Sequence, residues 1–91
     1  MNRLEQEIID IIAEEGDIDR NDVTPDSNLY YLGIDSLSSL EILVAIETRY
    51  DITIPQNRLK DINSVKEIIR VVANEVNKKK GGVFKEQKQG P

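Results

Sequence analysis

Apolar side chains return at helical spacing in three stretches of this chain, with polar residues filling the intervals. In the first stretch Leu4, Ile8, Ile11 and Ile12 share a stripe, and Glu5, Glu7, Asp10, Glu14 and Glu15 lie between them. Asn2 followed three positions later by Glu5 predicts a cap at its start, and Gly16 predicts its stop. Residues 17–35 contain Asp, Asn, Pro25 and Gly33 without a sustained period, which predicts a long loop anchored by Val23, Leu29, Leu32 and Ile34. A second helix is expected from about Ser36 to Tyr50, with Asp35 as its N-cap. Asp51-Ile52-Thr53-Ile54-Pro55 then breaks the pattern, and Asn57 to Ile62 has room for one short helix. Ser64-Val65-Lys66-Glu67 has the form of a capping box and opens the third long helix, with Val65, Ile68, Ile69, Val72 and Val76 as its apolar stripe. The expected fold is all-α, with three main helices, one short helix and a long loop between the first and second. Its body spans residues 1–77. Gly, Lys and Gln dominate residues 78–91, which predicts a basic, disordered tail.

The second helix departs from simple amphipathicity. At 100° per residue, Ile42, Leu43, Ile46 and Tyr50 fall on one side, while Leu37, Leu40 and Val44 fall almost opposite, together with Glu41. A domain of this size cannot easily bury both faces. One is expected to be core and the other a docking face. Periodicity alone leaves open that helix one and the long loop cover both.

Composition narrows the chemistry. The chain of 91 residues has neither Cys nor His, so disulfides, thiolate catalysis, Cys-based zinc sites and the usual general base are absent together. Carboxylates, lysines and hydroxyls in one small domain make a poor kit for an independent enzyme. The polar start and the lack of a long apolar run predict a soluble, cytoplasmic protein without stable membrane insertion. Residues 1–77 carry 7 basic against 16 acidic side chains, a net −9, and residues 78–91 carry 5 against 1, a net +4. An acidic body repels nucleic acid and favours partners with basic surfaces, so the Lys78-Lys79-Lys80 run does not indicate DNA or RNA binding.

Two motifs stand out. Asp17, Asp19 and Asn21 alternate like the opening of an EF-hand loop, but Asp22 occupies the position that needs glycine and Asn28 the position that needs the closing glutamate. No metal site is expected there. The second motif is Leu32-Gly33-Ile34-Asp35-Ser36-Leu37, which sets a serine hydroxyl at the first turn of a helix behind a glycine-containing loop. Free N–H groups and the helix dipole favour a phosphate at such a terminus. With no His or Cys to activate it, Ser36 is better suited to bear a group than to attack one.

Gly33-x-Asp35-Ser36-Leu37, followed by Glu41, Glu47 and the Ile54-Pro55 break, resembles the acyl carrier proteins, over about Leu4 to Val76. The resemblance implies a four-helix bundle for the 1–77 carrier domain, with Ser36 attached to 4′-phosphopantetheine donated by coenzyme A. It implies that Asp35 and Leu37 present Ser36 to a phosphopantetheinyl transferase. Leu37, Leu40, Glu41, Val44 and Glu47 would form the partner-binding face, and Ile42, Leu43, Ile46 and Tyr50 the core. The implied function is to hold acyl intermediates as thioesters and deliver them to acyl-transfer, condensing or acyl-activating enzymes with basic docking surfaces, in fatty-acid or related biosynthesis. The protein would act as a monomer and would not itself be an enzyme. Tyr31, Ser38, Arg58 and Lys60 depart from the family's commonly acidic pattern and point to a specialised carrier. The alternatives are an aminoacyl or polyketide carrier of the same fold, and an unmodified helical module that binds partners through the Leu37/Leu40/Val44 face.

Overall fold

The computed structural model describes residues 2–60 and 62–89, with side chains described up to Lys79. Four helices follow one another: α1 (Arg3–Gly16), α2 (Ser36–Tyr50), α3 (Gln56–Leu59) and α4 (Val65–Gln89), with a 3₁₀ turn at Arg20–Asp22 inside the long loop. α1 packs against both α2 and α4. The all-α expectation holds, and among the described residues the sole β-type pairing is one isolated bridge between Asn28 and Ser64.

The helices start and stop for local reasons. At α1 the capping box is complete: Asn2 Oδ1 accepts the Glu5 N–H at 2.8 Å and Glu5 Oε1 accepts the Asn2 N–H at 3.0 Å. The stop is displaced by one residue from the expectation. Gly16 is the last helical residue, and Asp17 takes the left-handed conformation (φ 55°) that ends the helix. A Cβ at Gly16 would sit 3.0 Å from Ile18 Cδ1, so the end of that side chain would have to give by a few tenths of an ångström. α2 ends in the same way, with Asp51 at φ 54°. The short helix is shorter and earlier than expected, because Pro55 fixes its start and only four residues follow in helical form. At α4 the expected box takes another form. Glu67 Oε1 accepts the N–H of Asn63 at 2.9 Å and approaches the Ser64 hydroxyl at 3.4 Å. The long loop covers the remaining donors of that terminus: Ser27 and Pro25 carbonyls accept the Val65 and Lys66 N–H groups at 3.0 and 2.9 Å.

One core results. Ile8, Ile9 and Ile12 of α1 meet Ile42 and Ile46 of α2 and Val65, Ile68 and Val72 of α4, all essentially without exposed surface. Val23, Leu29 and Ile34 bring the loop into this core, while Leu32 is half-buried. Ile9 and Val71 join the core although the expected stripes omit them, and Ile11, Ile69 and Val76 are only partly covered. Full burial of each large aliphatic side chain is worth roughly 1.5–3 kcal/mol. No charged or polar residue is buried among those described.

The expected boundary after residue 77 is not a helix end. Lys78 and Lys79 belong to α4, where Lys78 pairs with Glu75 and Lys79 donates to the Asp51 carboxylate and carbonyl, each at 2.8 Å. α4 is thereby tied to the C-terminus of α2. The side chains of the rest of the expected tail lie outside the described residues. Among those described, no helix is long and apolar enough to cross a membrane.

Candidate functional site

The loop leading into α2 is shaped by its own short-range bonds. Asn28 Oδ1 accepts the N–H groups of Tyr30 (2.8 Å) and Tyr31 (3.3 Å), turning the chain so that both tyrosines face outward. The Leu29 carbonyl accepts from both Leu32 and Ile34 at 3.1 Å, and Gly33 N–H donates to Tyr30 O at 3.0 Å. This coil closes only because Gly33 adopts φ +83°. A Cβ there would meet nothing within 4 Å, so backbone conformation rather than space demands the glycine. Leu29 and Ile34 hold the coil to the core on either side.

The chain then enters α2 through Asp35 in an extended conformation (φ −85°, ψ −176°). Its Oδ1 accepts the Ser38 N–H at 2.8 Å, and its carbonyl accepts from Ser39 at 2.9 Å. The bond from the Ser38 N–H is the main reason why the Asp35 carboxyl is held below its ordinary range. Ser36 is therefore the first residue of a firmly capped helix. It is exposed, and its hydroxyl has no hydrogen-bond partner among the described residues.

A cleft of about 270 Å³ opens beside it. Ser36, Ser39 and Leu40 of α2 line it together with Leu59, Lys60 and Asn63. The floor is apolar, with Leu29, Ile42, Leu43, Ile62 and Ile68. An exposed hydroxyl with room alongside and a helix N-terminus beneath it suits attachment of a phosphate-linked chain.

Around the outer side of α2 the two-faced pattern is realised. Ile42, Leu43 and Ile46 are buried, whereas Leu37, Leu40 and Val44 are 68%, 50% and 57% exposed. The possibility that the fold covers both faces is thereby excluded. Glu41 is exposed among the apolar three. Glu47 is not equally available, because its half-buried carboxylate accepts the Ile54 N–H at 2.8 Å and anchors the α2–α3 connection. Tyr30 and Tyr31 are also exposed, their rings edge-to-face with centroids 6.0 Å apart. Tyr50 faces the other way and donates its hydroxyl to Glu7 Oε1 at 2.6 Å, a link between α1 and α2. Burial and this bond push the Tyr50 phenol well above its usual range, while the same bond holds Glu7 below its own.

The structure thus brings Asp35, Ser36, Leu37, Leu40, Glu41 and Val44 into one surface. It adds Ser39 and Asn63 at the cleft, which the sequence reading passed over. Ser39 was within reach of it, lying one helical turn from Ser36 and therefore on the same face. Asn63 comes to the cleft through the loop after α3 and has no periodic signal. The acidic residues of the false EF-hand are used locally: Asp17 ends α1 and Asp19 caps the 3₁₀ turn by accepting the Asn21 N–H at 2.8 Å. Among the described residues no group of three or more acidic side chains is arranged to hold a metal ion.

The family described as "Phosphopantetheine attachment site" matches residues 6–72. An acyl carrier protein of Syntrophobacter fumaroxidans is 35% identical over 71 residues, covering 77% of this chain and 88% of that protein. One of Rickettsia massiliae is 33% identical over 72 residues (78% and 84% covered), and one of a Picosynechococcus species 36% over 75 residues (77% and 93%). A match through all the core-forming elements, with relatives of this identity along most of their own length, places the chain in the acyl carrier protein family.

Proposed function

We propose that Ser36 carries the 4′-phosphopantetheine arm and that Leu37, Leu40, Glu41 and Val44 form the face on which partner enzymes dock. The prosthetic group itself and the carrier role follow from the family; the chain is a carrier, not an enzyme. The observation that supports Ser36 is its position: an exposed, unpartnered hydroxyl at the first residue of a capped helix, between a cleft and an exposed apolar face. When attached, the arm supplies a terminal thiol that holds an acyl group as a thioester.

The residues around it have separate tasks. Asp35 fixes the first turn, so the hydroxyl is presented at a constant angle to the phosphopantetheinyl transferase. The N-terminal end of α2 favours the negative charge of the phosphodiester. Leu37, Leu40 and Val44 give a partner an apolar patch, and Glu41 gives it one carboxylate at the centre. Glu47 contributes at the edge, with one oxygen committed to Ile54. The acidic body steers partners that present basic surfaces, and a modest interface allows release after transfer. Tethering then keeps the cargo at high effective concentration near each partner's active site. We place this carrier in the cytoplasm, as a monomer serving acyl-transfer, condensing or acyl-activating enzymes of fatty-acid or a related biosynthesis.

The test is incubation of the apo protein with a phosphopantetheinyl transferase and coenzyme A. The intact mass rises by one phosphopantetheine in the parent and stays unchanged in Ser36→Ala. Unchanged mass in the parent, or an equal gain in the variant, overturns the assignment.

A further inference from the structure

We infer that Tyr30 and Tyr31 are a docking element in their own right, an aromatic pair that receives a cationic side chain of the phosphopantetheinyl transferase. This contact rests on the reading of Ser36 as the attachment point and belongs to the enzyme that attaches the arm. The two side chains are 80% and 85% exposed, and neither hydroxyl has a hydrogen-bond partner among the described residues. Packing therefore does not account for them. The loop nevertheless holds them in a fixed place. Asn28 Oδ1 accepts both of their N–H groups, the Tyr30 carbonyl accepts the Gly33 N–H, and Leu29 and Ile34 on either side are buried. The edge-to-face contact, with 60° between the ring planes, sets the rings relative to each other and leaves outward ring faces open. A pair ordered before contact loses little conformational entropy on binding, as an interface anchor requires.

Charge selects the occupant. Residues 17–35, the loop that bears the pair, contain five Asp and one Arg, and that Arg20 is paired with Asp10. Negative potential along the loop and electron-rich ring faces both favour a cation. A second copy is disfavoured because two bodies at net −9 repel each other, and an anionic lipid surface is disfavoured for the same reason. The transferase must bring cationic side chains, since the coenzyme A that it holds against Ser36 carries several phosphate charges. Its seat also reaches the pair. Tyr31 precedes Ser36 by five residues, at most ~18 Å of chain, at the end of α2 where a partner covers a patch of about 800 Å².

Steady-state modification of the full-length apo protein by the transferase of its native cells, with coenzyme A, is followed by intact mass. Tyr30→Leu/Tyr31→Leu keeps apolar bulk and loses the ring faces. It is expected to lower kcat/KM about threefold to thirtyfold, the worth of one or two surface cation–π contacts, through KM and with the melting temperature unchanged. Tyr30→Phe/Tyr31→Phe retains the parent values. Stepwise fluorination of those two phenylalanine rings, which drains electron density from their faces and changes their size little, lowers kcat/KM at each step. Parent-like kinetics in the Leu variant overturn the inference. So does an equal loss in the Phe variant, which would assign the contact to the hydroxyls, or a flat fluorination series, which would make it merely apolar. A parent dimer in sedimentation equilibrium that the Leu variant abolishes would give the pair to a second copy and overturns the inference too. Each of these results leaves the carrier reading intact, whereas absence of any mass gain in the parent overturns the Ser36 assignment and this inference with it.

Discussion

Truncating one side chain on each face of α2 separates its two roles. Ile46 has no exposed surface. Ile46→Ala removes three carbon groups, which at ~0.8 kcal/mol each gives about 2.4 kcal/mol of lost transfer energy. The cavity left in a close-packed core raises the cost to about 3–4 kcal/mol. In a domain of this size each kcal/mol moves the melting temperature by roughly 4–8 °C, so the expected fall is on the order of 15 °C or more. Val44, 57% exposed, loses two carbon groups in Val44→Ala. With less than half of that surface removed from water, the loss is about 0.7 kcal/mol, and the higher helix propensity of Ala returns about half a kcal/mol. Its melting temperature should stay within about 2 °C of the parent. Thermal unfolding by circular dichroism and urea titration measure both variants. A large loss for Val44→Ala, or a small one for Ile46→Ala, would mean that the buried and free faces of α2 are reversed.

Other expectations follow from single contacts. Tyr50→Phe removes the bond to Glu7 and should cost about 1 kcal/mol, read from urea midpoints across pH. Because Glu7 titrates below its ordinary value and Tyr50 above its own, that difference is full from about pH 5 to pH 10. It shrinks as pH falls through the Glu7 titration, and again as pH rises above 10 toward the Tyr50 titration; a pH-independent difference would refute the pairing. Gly33→Ala forces a side chain into φ +83° and should destabilise by about 1–2 kcal/mol, although nothing crowds the site; an unchanged urea midpoint would contradict the turn geometry. Glu41→Lys should lower kcat/KM for phosphopantetheinyl transfer while leaving the melting temperature unchanged, and gross unfolding would show that Glu41 is structural. With the 1–77 body at net −9, added sodium chloride should raise the melting temperature; indifference to salt would remove repulsion as a significant force.

Much of this architecture is visible in the amino-acid pattern because its causes are local. The Asn2/Glu5 capping box, the Asp35 cap and the extent of α2 follow from residues three positions apart or less. The two faces of α2 follow from angular arithmetic on a single helix. What periodicity does not carry is the long-range bonding of the loop. Nothing near Ser27 or Pro25 announces that their carbonyls cover the N-terminus of α4, so Ser64 and Glu67 read as a self-sufficient capping box. Glu47 reads as a docking carboxylate because its bond to the Ile54 N–H depends on how the chain turns after α2. Ser36 is legible by its place in the chain, but the polar residues that line the cleft beside it are not, since Ser39, Lys60 and Asn63 come together only in the fold.

The central claim concerns one hydroxyl among several nearby. Protein isolated from its native cells and cleaved with trypsin yields a peptide spanning residues 21–49, which holds Ser27, Ser36, Ser38 and Ser39. Tandem mass spectrometry of that peptide should place phosphopantetheine on Ser36 alone. The group on Ser27, Ser38 or Ser39, or its absence from every copy of the peptide, would contradict the account.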